Sequence, residues 1–150
     1  MRALEFEDLF VVAAGVEPTG PESLPPNARA AQFIPFGPLM PLADAYVTNG
    51  GFGGVVIALA NGVPIVSAGT TEDKAEVGGR IAYTGVGIDL KTNRPTEEQI
   101  HRAVFSVLRD PRYRDRAQAI QQDFATHNAP LEAAELIEQL AATQTPVIQG

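Results

Sequence analysis

The sequence predicts an α/β domain, a parallel Rossmann-like sheet with helices on both faces. Three observations predict it. Short apolar runs alternate along the chain with segments of helical periodicity, as in a parallel sheet joined by crossover helices. A glycine-packed turn, Thr48-Asn49-Gly50-Gly51-Phe52-Gly53-Gly54, joins one such run to one such helix. The 150 residues are 45% hydrophobic and 19% charged, which suits one buried core and excludes a disordered chain.

Each element has its own signal. Leu9 to Ala14 is an apolar run ended by Gly15 and reads as a buried strand. Pro18, Gly20, Pro21, Pro25, Pro26 and Asn27 make residues 17–27 a loop. Ala30 to Ile34 is a second short strand, and Leu39 to Leu42 a turn of helix after Pro35 and Gly37-Pro38. Ala45 to Thr48 is the third strand. The helix from Gly51 to Ala60 is apolar nearly all round and is expected to be buried, with Gly62 suited to a left-handed cap. Val63 to Ala68 is the fourth strand. The helix from Glu72 to Tyr83 has Thr70 or Thr71 as its expected N-cap and ends near Gly85. Val86 to Leu90 is the fifth strand. Thr96 caps a helix with Glu97 and Glu98 in its first turn and Ile100, Val104, Val107 and Leu108 on its apolar face. Asp110-Pro111 opens the next helix, which buries Ala117, Ile120 and Phe124. Asn128-Ala129-Pro130 breaks it before a last helix bearing Leu131, Ala134, Ile137 and Leu140. Residues 1–142 form one domain and 143–150 a tail.

Composition excludes several classes of function. Eighteen acidic against eleven basic residues give a net charge of −7, which disfavours nucleic acid and anionic membranes as partners. Without cysteine there is no disulfide, thiolate zinc site or cysteine nucleophile. The acidic start from Met1 to Asp8 is not a signal peptide, and no apolar run approaches the ~18 residues of a membrane span, so a cytoplasmic location is expected. There is no G-x-S-x-G elbow and no Walker lysine motif. Glu72, Asp73 and Glu76 have no histidine beside them, so no metal is expected. His101 and His127 fall on exposed helical segments away from the glycine turn, and no catalytic residue is assigned.

The chemistry points to the glycine turn. Four glycines between positions 50 and 54 leave little bulk where the helix begins. The first amides of a helix have no intrahelical partner and carry the positive end of its dipole, so a phosphate or diphosphate can approach them. Tight packing of strand against helix, with no ligand, is the plainer explanation of the same glycines.

The turn, the segment Ala58-Leu59-Ala60-Asn61-Gly62-Val63-Pro64 and the loop Glu72-Asp73-Lys74, in that order, resemble the donor-binding half of UDP-glycosyltransferase-like enzymes of GT-B architecture. Bacterial macrolide and antibiotic glycosyltransferases look most similar. The likeness runs from about Leu9 to about Leu140. It implies a carboxyl-terminal domain that binds a nucleotide-sugar as substrate, with no cofactor; a UDP- or dTDP-sugar is expected. It implies donor contacts from Asn49, Gly50, Gly51, Gly53, Gly54, Phe33, Asp73 and Lys74. Asn49 stands where the family usually has a histidine, and Ile57 where it often has a glutamate for the ribose. Asp73-Lys74 replaces an acid–glutamine pair, and Phe36 replaces a glutamine beside Phe33 and Pro35.

The family's amino-terminal half, with the acceptor cleft and catalytic base, has no counterpart here. The family's first carboxyl-terminal strand is also absent, and the chain enters at the end of the following helix near Ala3-Leu4. The expectation is a truncated or split enzyme whose sheet is completed by an amino-terminal acceptor domain on another chain or by a homo-oligomer, and which does not transfer sugar alone. A degenerate or regulatory nucleotide-binding module is the alternative. A dehydrogenase domain is disfavoured, because after Gly51 and Gly53 the third fingerprint glycine is Val56.

Overall fold

The computed structural model describes residues 1–5, 7–16 and 24–146. Most of the loop expected at 17–27, and tail residues 147–150, lie outside them. The elements are β1 (Val11–Ala14), β2 (Ala28–Ala31), α1 (Phe36–Leu39), β3 (Tyr46–Thr48), α2 (Phe52–Ala60), β4 (Ile65–Ser67), α3 (Lys74–Thr84), β5 (Gly87–Asp89), α4 (Glu97–Arg109), α5 (Pro111–Phe124) and α6 (Ala129–Thr143). Short 3-10 turns occupy Arg2–Leu4 and Met40–Leu42.

Every strand pair is parallel, as expected. The strands nevertheless form two sheets rather than one: β1 pairs with β2, and β3, β4 and β5 pair in that order. β4 lies at the centre of the larger sheet and is buried on both faces, with Ile65 and Val66 at 0% exposure. Ile65 packs with Met40, Val55, Ala58, Ile81 and Ala117 beneath α2, α3 and α5. Val66 packs with Leu4, Ala103, Val104 and Val107 on the α4 side. Helices thus cover both faces of this sheet.

Local chemistry sets the helix ends. Thr96 and Gln99 form a reciprocal capping box: the Gln99 amide donates to Thr96 Oγ1 at 3.2 Å and the Thr96 amide to Gln99 Oε1 at 2.9 Å. Asp110 Oδ1 accepts from the Arg112 amide at 3.1 Å, and Pro111 opens α5 where a missing N–H costs nothing. Gly85 ends α3 at φ 74°, a left-handed cap suited to glycine.

Four expectations shift. The second strand lies at 28–31 rather than 30–34. The Val11 amide donates to Asn27 O at 2.9 Å and the Gly15 amide to Ala31 O at 3.0 Å, so the ladder with β1 ends before Phe33 and Ile34. The N-cap of α3 is Asp73, without a side-chain cap, and Thr71 instead lends its carbonyl to the Lys74 amide at 3.1 Å. The apolar α2 is buried only on one side: Val55 and Ala58 face the core, while Phe52 and Ile57 are 61% and 36% exposed. In α6 the predicted apolar side faces solvent, with Leu131, Ile137 and Leu140 at least half exposed.

Candidate functional site

The carboxyl ends of β3, β4 and β5 lie side by side, and their loops build the site. After Thr48 the chain reverses at Gly50, whose φ of 88° suits glycine alone. Two side chains hold the turn: Thr48 Oγ1 accepts from the Gly50 amide at 3.2 Å and Asn49 Oδ1 from the Gly51 amide at 3.1 Å. With Oδ1 so engaged, the Nδ2 group of Asn49 has no partner among the described residues. Gly51 is the N-cap of α2, and the Val55 amide closes the first turn onto Gly51 O at 3.2 Å. The amides of Phe52, Gly53 and Gly54 precede that first bond and are the helix's orphan donors.

The glycines serve different purposes. A Cβ on Gly53 would meet no atom within 4 Å, so the helix mouth is open there. A Cβ on Gly54 would lie 2.5 Å from Tyr46 Oη, so that glycine is needed for packing against β3. Gly50 is buried against Lys74, whose carbonyl would sit 3.5 Å from a Cβ there.

Lys74 brings the next loop to the turn. Its side chain is 16% exposed, and its aliphatic stem would lie 3.2 Å from a Cβ on Gly69. Its ammonium donates to Glu72 Oε2. That hydrogen bond, with the attraction of opposite charges, holds the Glu72 carboxyl below its ordinary range and raises the Lys74 ammonium above its own. Glu72 adopts a left-handed backbone at φ 57°. Asp73, beside Lys74, is exposed at the start of α3.

The structure therefore gathers Asn49, Gly50, Gly51, Gly53, Gly54 and Lys74 at one edge, with Asp73 adjacent. Phe33 stands apart in the loop after β2 and is 79% exposed. Phe36 is a packing residue, edge-on to Tyr46 with ring centroids 5.7 Å apart. His101 and His127 pair with Glu7 and Glu132, at 2.7 and 3.2 Å. Sequence reasoning missed three contributors. Gly69 lies so close to the Asn49 carbonyl that only hydrogen fits between them. Thr70 and Asn93 bond reciprocally, the Thr70 amide to Asn93 Oδ1 at 2.8 Å and Asn93 Nδ2 to Thr70 Oγ1 at 2.7 Å. An Asn four residues past a strand end is a loop-tying signal, but its partner is visible only in three dimensions.

Residues 4–140 match the family model described as erythromycin biosynthesis protein CIII-like, C-terminal domain. The chain is 46% identical over 140 residues to 4'-demethylrebeccamycin synthase of Lentzea aerocolonigenes, covering 93% of this chain and 33% of that protein. Among solved structures it is similar to the calicheamicin glycosyltransferase CalG4, with a TM-score of 0.83 and 30% identity over 97% of this chain and 38% of that one. It is also similar to the glycosyltransferase VinC in complex with dTDP, with a TM-score of 0.72 and 26% identity over 83% of this chain and 32% of that one. The chain spans about a third of the length of these relatives.

Proposed function

The chain belongs to the erythromycin biosynthesis protein CIII-like C-terminal domain family, and from that membership we propose that it is the donor-binding part of a glycosyltransferase that uses a nucleoside-diphosphate sugar. The observation that carries this reading is the open helix mouth at Gly53, with orphan amides on either side of it. The dTDP bound by the similar VinC supports a nucleoside diphosphate as the ligand class.

In this reading the amides of Phe52, Gly53 and Gly54 hold the diphosphate. As an acceptor hydroxyl bonds to the anomeric carbon, the bond from that carbon to the diphosphate oxygen breaks and its electrons pass to the leaving group. Fixed amides aimed at those oxygens stabilise the growing charge without reorganising. The acceptor proton passes to a base outside this chain. Asn49 Nδ2 adds a neutral donor where a charged histidine would add a cation. Lys74 supplies positive charge beside the turn once Glu72, an exposed partner held weakly in water, gives way. In the same reading Asp73 binds sugar hydroxyls, and Phe33, an exposed aromatic in the loop after β2, stacks on the nucleobase. A UDP- or dTDP-sugar is the substrate, with no cofactor and no metal required of this part.

Isothermal titration of the chain with UDP, dTDP and UDP-glucose tests this reading. One-to-one binding of a nucleoside diphosphate, weakened at least tenfold by Gly53→Val, is expected. Absence of heat with all three would overturn it.

A further inference from the structure

The two partners of the Glu72–Lys74 ion pair are held very differently. Arg80 with Glu76 and Arg102 with Glu98 are surface pairs, and both members of each are mostly exposed. Lys74 is 16% exposed, whereas Glu72 is 75% exposed. The cation is built into the fold, and the acid lies in water.

The seat of Lys74 is made by two glycines. Its Cβ would lie 3.6 Å from a Cβ on Gly50, and its Cδ 3.2 Å from one on Gly69. Both glycines are buried. The lysine stem therefore runs in the seam between the turn after β3 and the loop after β4. It carries the ammonium to the edge where the carboxyl ends of those strands lie. Glu72 has no such seat. Its backbone is left-handed at φ 57°, a conformation disfavoured for a residue with a Cβ. Its carboxylate has no partner among the described residues other than Lys74.

An ammonium so far withdrawn from water needs a counter-charge. Glu72 provides it from within the chain. The ammonium has three donors, and Glu72 Oε2 takes one of them. A diphosphate brings more negative charge and more acceptor oxygens than a carboxylate. Displaced, the exposed carboxylate returns to water at little cost.

We propose that Glu72 is a built-in competitor for Lys74. A nucleoside diphosphate must displace the Glu72 carboxylate to reach the ammonium, and the carboxylate takes the ammonium back as the diphosphate leaves. Glu72 thereby lowers the affinity of the site and eases release, without touching the ligand. This role deepens the nucleoside-diphosphate reading and rests on it.

The test is calorimetric titration with UDP of the wild type, Glu72→Gln, Lys74→Met and the double variant. Glu72→Gln is expected to bind at least threefold more tightly, and Lys74→Met at least tenfold more weakly. In the Lys74→Met background, Glu72→Gln should make no difference. Glu76→Gln removes another exposed acid, from the first turn of α3, and should leave the affinity within twofold, which separates competition from net charge. Carboxyl-carbon NMR reads the displacement itself. Lys74, with Asp73 as the other charge acting on it, holds the Glu72 carboxyl below its ordinary range, and saturating UDP should return it toward that range. UDP binding no tighter in Glu72→Gln than in the wild type would overturn this role and leave the donor reading standing. So would an equal gain from Glu76→Gln, a gain that survives Lys74→Met, or a Glu72 titration that UDP does not move. Absence of heat with every one of these chains would overturn the donor reading, and this role with it.

Discussion

Replacing Gly53 by alanine should strengthen the fold and weaken donor binding together. The added methyl group meets no atom within 4 Å, so it costs no packing. Alanine in place of a glycine in a helix interior is favoured by about 0.8–1 kcal/mol; Gly53 lies in the first turn of α2, so the gain is at most that, and for a chain of this size it raises Tm by at most about 2–4 °C. The same methyl group stands at the mouth where a diphosphate would approach the Gly53 and Gly54 amides. Losing one charge-assisted hydrogen bond costs about 1.5–3 kcal/mol, or about ten- to a hundredfold in affinity. Gly54→Ala provides the contrast. Its methyl would lie 2.5 Å from Tyr46 Oη and 3.3 Å from the ring, and Phe36 packs edge-on against that ring. It should therefore destabilise the fold, by about 1–3 kcal/mol. Thermal unfolding followed by circular dichroism reads stability, and titration with UDP and dTDP reads affinity. A lower Tm for Gly53→Ala, or an unchanged nucleotide affinity, would refute the reasoning.

Other substitutions test the frame around the site. Ile81→Ala removes a core side chain at 2% exposure beneath the sheet and should cost about 2–5 kcal/mol in urea unfolding. Thr96→Ala breaks the capping box of α4 and should cost about 1 kcal/mol by the same measurement. The Lys74–Glu72 pair predicts a pH dependence with two limbs. The Glu72 carboxyl is lowered by folding, so its contribution is present above pH 4.5 and lost as pH falls through the folded value. The Lys74 ammonium is raised, so its contribution is complete below pH 10.5 and lost as pH rises through the folded value. Glu72→Gln should make both limbs of the stability profile shallower, with the acid limb keeping the part carried by Asp110 beside Arg112, and unchanged limbs in the variant would refute the assignment.

The helices were the most legible part of the fold, because their ends are written locally. Thr96 before Glu97 and Asp110 before Pro111 each name a cap and a first turn within a few residues. Strand limits depend on partners far along the chain. The ladder of β2 follows the register set by β1, so Phe33 and Ile34 fall outside it despite their β-propensity. The Thr70 and Thr71 hydroxyls looked suited to capping α3, but Thr70 is engaged by Asn93 across the next loop. The glycine turn was legible because glycine at Gly50 answers a backbone demand. The separate duties of Gly53 and Gly54 were not, since only the position of Tyr46 distinguishes them. The outward-facing stripe of α6 shows the same limit: periodicity reports an apolar side without reporting what covers it.

The reciprocal pair of Thr70 and Asn93 bears on how a ligand would find the site. It staples the segment after β4 to the segment after β5 from both directions. The rim is thereby set during folding, and an arriving molecule need not freeze it. Loosening that staple would slow productive encounters through an entropic toll, even though neither side chain need touch the ligand.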